Sequence, residues 1–459
     1  MPSNEASQAE SPSRRDFLRA SAVTAAVAAP YVVPSSVFGA SAPSNRTTVA
    51  CIGSGNQGFQ DLRLFGAEPD CQIVAVCDVN RGSDGYRDPS DVRGLEPAKQ
   101  LVDDLYAKKN DVDSYRGCDT HTDFREVLAR DDVDAVIIVT PDHWHEAMTL
   151  AAAKAGKDIY CEKPLGLTIA GQRRMADAVS EHGRILQTGS QERSNPVVKA
   201  LCDLVQSGKI GKVRRVVCNI GRHNKIGPGP GWSAMPVPDG FDYDMWLGPA
   251  PEEPYHEDRC LYKFRFISDY SGGQTTNFGA HSIDIAQWGL GTSHTGPKEV
   301  RLGYADYLPE GSLFDVATHL NFRCTYEDGV ELECVTASPA IRCAFYGDDG
   351  YASIDSVGEN ATVIPSAGMP EYLKNQRRYN SAPDHVRNFL DCVKSRSEPN
   401  ASVEVGHRSA SICHLGNIAA SLNAYRGLQW NPDAETFEGD RADEANKLLD
   451  REARTSWAS

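Results

Sequence analysis

Along residues 47–189, continuous apolar runs alternate with amphipathic stretches, the pattern of parallel strands buried on both faces and joined by helices. The runs are Thr48–Ile52, Cys71–Cys77, Val136–Val139 and Asp158–Cys161. Helical spacing fills Gly58–Phe65, Ala98–Lys108, Asp123–Leu128 and His145–Ala155. An α/β domain built on a doubly wound parallel sheet is predicted. Beyond residue 190 the pattern becomes the alternation of half-buried strands, over Val213–Ile220 and Leu320–Ala337. Helical spacing returns at Asp384–Ser395 and Val405–Leu422. At 459 residues the chain exceeds one ordinary core, so about two domains are expected.

The first 42 residues read differently. Ser13-Arg14-Arg15-Asp16-Phe17-Leu18 precedes a mild apolar stretch from Ala20 to Val33 and the small residues Gly39, Ala40, Ser41 and Ala42. This order of charged, apolar and small-residue regions resembles a twin-arginine signal peptide, removed between Gly39 and Ala42. Export in the folded state to the periplasm, with the twin-arginine machinery as a partner, is the expectation. The boundaries become residues 1–42 for the leader, 43–189 for the first domain and 190–459 for the second.

Composition narrows the partners. Lys and Arg total 47 against 63 Asp and Glu, a net charge of −16 that repels phosphate backbones, so nucleic acid is not expected. After the leader no apolar run approaches the roughly 20 residues that span a bilayer, so no membrane role is expected of the mature chain. Thirteen cysteines are an odd number without framework spacing, and most read as buried thiols.

The first apolar run leads directly into Gly53-Ser54-Gly55-Asn56-Gln57-Gly58 and a helical stretch. This is the strand, tight turn and helix of a dinucleotide site: Gly53 permits the turn, Gly55 admits a pyrophosphate, and Gly58 lets helix pack on strand. Asn56 and Gln57 complete the loop. The second run ends in Asp78, twenty residues after Gly58, where a carboxylate accepts hydrogen bonds from ribose hydroxyls and disfavours a 2′-phosphate. NAD is preferred, and Arg81 keeps NADP possible. Two later strand ends carry Thr140-Pro141-Asp142-His143-Trp144-His145 and Glu162-Lys163-Pro164, where ligands bind in open α/β sheets. His143 and His145 find no third ligand at recognisable spacing, so no metal is expected. His145 either caps the next helix or touches the cofactor.

Together, the glycine loop, Asp78, Thr140-Pro141 with His145, and Glu162-Lys163-Pro164 resemble the Gfo/Idh/MocA oxidoreductases, the family of glucose-fructose oxidoreductase and inositol dehydrogenase. The likeness continues through Gly208–Val213 and Trp246–Pro251. It implies a second, α+β domain with a large, mostly antiparallel sheet that serves oligomer contact, and hence a homo-oligomer, dimer or tetramer. The helices near 384–422 are expected to pack back on the first domain.

The resemblance also implies hydride exchange between the nicotinamide and a secondary hydroxyl of a sugar or polyol. Such chemistry needs a base near neutral pKa beside the ring, and Lys163 is the candidate. A family motif with Asp and His four residues apart falls here on Asn277 and His281, so asparagine replaces the carboxylate. Asp284 is then expected to orient His281, with Asn277, His281, Asp284 and Trp288 on one helical face. Glu162 and Gln191 are placed near the cofactor, and Arg193, Trp232, Trp246 and Asp284 near the substrate. Two alternatives stay open: a glycoside-cleaving enzyme that oxidises transiently and recycles its cofactor, and a redox-silent carbohydrate-binding protein.

Overall fold

In the computed structural model, described over residues 45–88, 90–221, 227–337, 341–355, 360–365 and 380–454, the apolar runs become strands. The predicted leader, residues 1–42, lies outside the described residues. Strands β1 (Thr47–Ile52), β2 (Cys71–Cys77), β3 (Asp119–His121), β4 (Ala135–Ile138), β5 (Asp158–Cys161) and β6 (Leu186–Thr188) form a six-stranded sheet in the order β3-β2-β1-β4-β5-β6. Every pairing in it is parallel. The order reverses between β1 and β4, and such a switch point opens a crevice at the strand ends. β3 escaped the periodicity because Asp119, Thr120 and His121 are polar, which an edge strand tolerates.

The turn after β1 depends on glycine. Gly53 has φ +99°, and a Cβ there would lie 2.6 Å from the Val139 carbonyl oxygen. A Cβ on Gly58 would lie 2.3 Å from the Gly53 carbonyl oxygen. The helix Asn56–Ala67 therefore starts hard against the strand and aims its free N–H groups at the crevice.

Both faces of the sheet are covered. On one, Ile52, Val136, Ile138 and Ile159 pack with Trp144 and Met148. On the other, Val49, Ile73 and Val76 pack with Phe65, Tyr160 and, from the helix Ala382–Ser395, Val386, Phe389 and Leu390. Phe389 and Leu390 are fully buried, worth about 1.5–3 kcal/mol each. The distant C-terminal helix thus completes the core of the first sheet.

The second sheet contains β7 (Val213–Asn219), β8 (Glu299–Asp306), β9 (His319–Thr325), β10 (Glu331–Val335), β11 (Ile341–Gly347), β12 (Tyr351–Asp355), β13 (Ala361–Ile364), β14 (Leu428–Asn431) and β15 (Thr436–Glu438). Their order is β13-β12-β11-β7-β10-β9-β8-β14-β15, antiparallel except for the parallel pair β7 and β10. The alternating stretch Leu320–Ala337 divides into β9 and β10. One sheet face buries Val216, Cys218, Phe322, Leu332 and Phe345 beneath the helices Pro196–Gln206, Gly279–Leu290 and Val403–Ser421. This is the expected α/β domain beside an α+β domain.

All thirteen cysteines are buried free thiols. Among the described residues no helix is long and apolar enough to cross a membrane.

Candidate functional site

A cavity of about 600 Å³ opens at the carboxyl ends of β1, β4 and β5 and runs to the helices of the second domain. Gly53, Gly55, Asn56 and Gln57 line one end, and Asp78 stands beside them. Gly58 is not part of the lining; it supplies the close packing beneath. The Asp78 carboxylate accepts the Ser54 N–H at 2.6 Å and the Asn80 N–H at 2.8 Å. Burial pushes its pKa up to about 6. Each oxygen keeps a lone pair for a further donor, so glycine loop, helix N-terminus and carboxylate fit the pyrophosphate and ribose of a dinucleotide.

The other end gathers the candidate reactive groups. Thr140, Pro141, Glu162, Lys163, Gln191, Trp246, Asn277 and His281 all line it. Lys163 Nζ donates to Asn277 Oδ1 at 2.8 Å and to the Asn277 carbonyl at 3.3 Å. Asn277 Nδ2 donates in turn to Gln274 Oε1 at 3.0 Å, which fixes the amide oxygen toward the amine. Burial pulls the Lys163 pKa down, assisted by Arg265 and Arg342 and opposed by Glu162 and Asp142. Asparagine leaves that balance alone, whereas an aspartate at 277 would hold the amine charged. Burial, with Lys163 and Arg342 nearby, pushes His281 well below its ordinary range. Its ring is neutral, and Nδ1 has no partner among the described residues.

Several expected contacts fall elsewhere. Arg193 and Asp284 form a buried bidentate ion pair, with bonds of 2.7–3.0 Å and side-chain exposures of 6% and 1%. Ser409 Oγ donates to the same carboxylate at 2.7 Å, and Trp288 packs on the guanidinium. Neither charge lines the cavity, and Asp284 does not orient His281. The predicted continuous face breaks at Phe278, between the short helix Gly273–Asn277 and the helix Gly279–Leu290. Trp232 packs on Arg259 and His256 outside the cavity. Trp246 lines the cavity, and its carbonyl accepts His143 Nε2 at 2.9 Å and Trp144 Nε1 at 3.0 Å. His143 is thus a tie between domains.

His145 also lies outside the cavity lining, where it clamps two site loops together. Nε2 lies 3.0 Å from the Thr140 carbonyl and Nδ1 2.9 Å from the Pro164 carbonyl. Two acceptors demand two N–H groups, hence an imidazolium. Burial works against that charge, but Cys161, Asp142 and the Pro164 carbonyl outweigh it and raise the pKa to about 10. A raised folded-state pKa stabilises fully below the unfolded value of about 6.5 and loses that contribution as pH rises through about 10. Thermal melts between these limits are expected to fall more steeply for the wild-type protein than for His145→Gln. Parallel curves would show that the clamp carries no charge.

Sequence reasoning missed Asp142, Arg265, Ser271 and Arg342, all of which line the cavity. Asp142 accepts Ser271 Oγ at 2.6 Å and lies within the quoted Thr140–His145 motif, so a signal was present. Arg342 sits in β11 beside Glu192, and nothing local marks it.

Residues 47–190 match the family described as "Oxidoreductase family, NAD-binding Rossmann fold". Residues 195–459 match "Oxidoreductase family, C-terminal alpha/beta domain", and residues 11–30 match a twin-arginine translocation signal sequence. The chain is therefore exported by the twin-arginine pathway. It is 30% identical over 172 residues to inositol 2-dehydrogenase of Azotobacter vinelandii, covering 37% of this chain and 44% of that relative. The chain therefore spans less than half the length of that relative. It is 25% identical over 366 residues to scyllo-inositol 2-dehydrogenase (NAD(+)) of Bacillus subtilis, covering 76% of this chain and 87% of that one. The aldose-aldose oxidoreductase of Caulobacter crescentus, crystallised with glycerol, shares the fold with a TM-score of 0.57 at 20% identity, over 84% of this chain and 99% of that one. Because the C-terminal match alone, residues 195–459, takes in more than half of the 459 residues, the chain belongs to the Gfo/Idh/MocA oxidoreductases.

Proposed function

We propose that this protein is a periplasmic NAD(P)-dependent oxidoreductase acting on a secondary hydroxyl of a sugar, polyol or related compound. The observation that carries the reading is a half-buried lysine amine, hydrogen-bonded to Asn277, in the same cavity as the glycine loop and Asp78. The dinucleotide, when bound, supplies the hydride acceptor. Lys163 takes the substrate hydroxyl proton in oxidation and returns it in reduction, since burial lowers its pKa and so favours the neutral amine. Asn277 orients that amine, and neutral His281 offers Nδ1 to an adjoining hydroxyl. Gln191, Thr140 and Pro141 shape the wall near the ring. Asp78, with its two backbone donors, favours NAD over NADP. The inositol dehydrogenases among its relatives support a polyol or sugar substrate. A homo-oligomer belongs to the same proposal.

The test is to purify the exported protein, denature it, and identify any released dinucleotide by mass. Sugars and polyols are then added to the intact protein while reduced nicotinamide absorbance is followed. Net reduction by a hydroxyl compound is the expected result. Cleavage of a glycoside without net reduction would favour the recycling enzyme, and failure to bind either dinucleotide would remove the redox reading altogether.

A further inference from the structure

We propose that Arg265 is the docking point for an oxyanion on the substrate, so that the compound oxidised is a sugar acid or sugar phosphate and not a neutral polyol. The proposal deepens the oxidoreductase reading and rests on it. Arg265 lies in the short turn Lys263–Phe266 and lines the same cavity as Lys163, Asp142 and Asn277. Its guanidinium stacks 4.0 Å from the Tyr262 ring centre and 5.1 Å from that of Phe264. One N–H donates to the Tyr262 carbonyl, its one hydrogen bond among the described residues. Of about five guanidinium N–H donors, the others have no protein acceptor among the described residues. No carboxylate of the described residues comes within 4.0 Å of it.

The other cations of this end are compensated. Arg342 pairs with Glu192, and Lys163 bonds Asn277 with the Glu162 carboxylate next door. Asp142 is turned to Ser271. Arg265 is thus a half-buried fixed charge, pre-oriented by two aromatic rings, whose planar fork makes no bidentate pair among the described residues. Burial, with Arg87, pushes its pKa below the ordinary arginine value, although Tyr262 and the Asp142 carboxylate, which stands off without a direct bond, pull the other way. The chain as a whole carries −16, a field that keeps small anions away. An anionic substrate would therefore need a local cation, and Arg265 is set where the reacting hydroxyl meets Lys163. The dinucleotide pyrophosphate is the competing anion, and Arg87, which faces Arg265 electrostatically, stands at the glycine-loop end.

The experiment compares gluconate, glucuronate and glucose 6-phosphate with sorbitol and glucose on the protein carrying its dinucleotide, for wild type, Arg265→Gln and Arg265→Lys. Wild type is expected to prefer at least one anionic compound over its neutral counterpart by about 10-fold or more in kcat/KM. Arg265→Gln should raise KM for that compound by about 10- to 100-fold, leave KM for neutral compounds and the Kd for NAD unchanged, and regain part of the preference in Arg265→Lys. A carboxylate or a phosphate as the oxyanion is distinguished by which probe loses most. Equal losses for anionic and neutral compounds, or a weakened Kd for NAD, would overturn the proposal and assign Arg265 to the cofactor or the fold. Calorimetric binding of the same probes keeps the test independent of turnover. Oxyanion binding that Arg265→Gln abolishes, with no hydroxyl compound oxidised, would keep the anion site and sink the oxidoreductase reading. No oxyanion binding by wild type would sink this proposal alone.

Discussion

Replacing Lys163 by methionine is expected to lower kcat by about 10²- to 10⁴-fold, the usual worth of a positioned general acid–base, while the protein still binds its dinucleotide. The amine lines the cavity, bonds Asn277, and has its pKa pulled below the ordinary lysine value by burial. Methionine keeps the length of the stem without the proton. Because the lysine must be neutral to act as a base, oxidation by the wild-type protein should fall as pH drops through its lowered pKa. Asn277→Asp should move that acid limb upward, since a carboxylate holds the ammonium form. Single-turnover kinetics against pH read both effects. A variant that turns over as fast as wild type would show that the proton leaves by another route.

Asp284→Ala is expected to cost about 3–5 kcal/mol of stability, because it strands the Arg193 guanidinium without its counter-ion in a buried setting. The pair joins the turn Gln191–Ser194, after β6, to the helix Gly279–Leu290, and Ser409 brings in the helix Val403–Ser421. Removing both charges together, as Arg193→Met with Asp284→Leu, should recover much of the loss, since a well-packed apolar pair spares both desolvation costs. Denaturant unfolding measures the difference. KM measured on the folded fraction of Asp284→Ala should match wild type. A selective rise in KM with unchanged stability would return both residues to the substrate site, where the sequence pattern had placed them.

The dinucleotide end was legible because its demands are local. A turn with positive φ at Gly53, a backbone contact at Gly58 and an acid at the end of the next strand are each met by residues close in sequence. Glu162-Lys163-Pro164 could be placed for the same reason, as the end of a buried strand at a known edge. Arg265 was not legible, since its turn reads as one more aromatic stretch and its meaning comes from what stands across the cavity. Arg193 and Asp284 misled in the opposite way. Each sits beside a motif residue, and only their mutual approach across 91 positions shows that they satisfy one another.

By itself, the sequence determined the alternation of strands and helices, the signal for export and the dinucleotide turn, because periodicity and backbone restriction act over a few residues. Tertiary structure alone decided which charges pair and which face the cavity, that His145 clamps two loops, and that Asn277 holds the amine of Lys163. The reason is physical: the energy of a buried charge depends on its partners and its desolvation, and both are set by chain segments that meet only after folding.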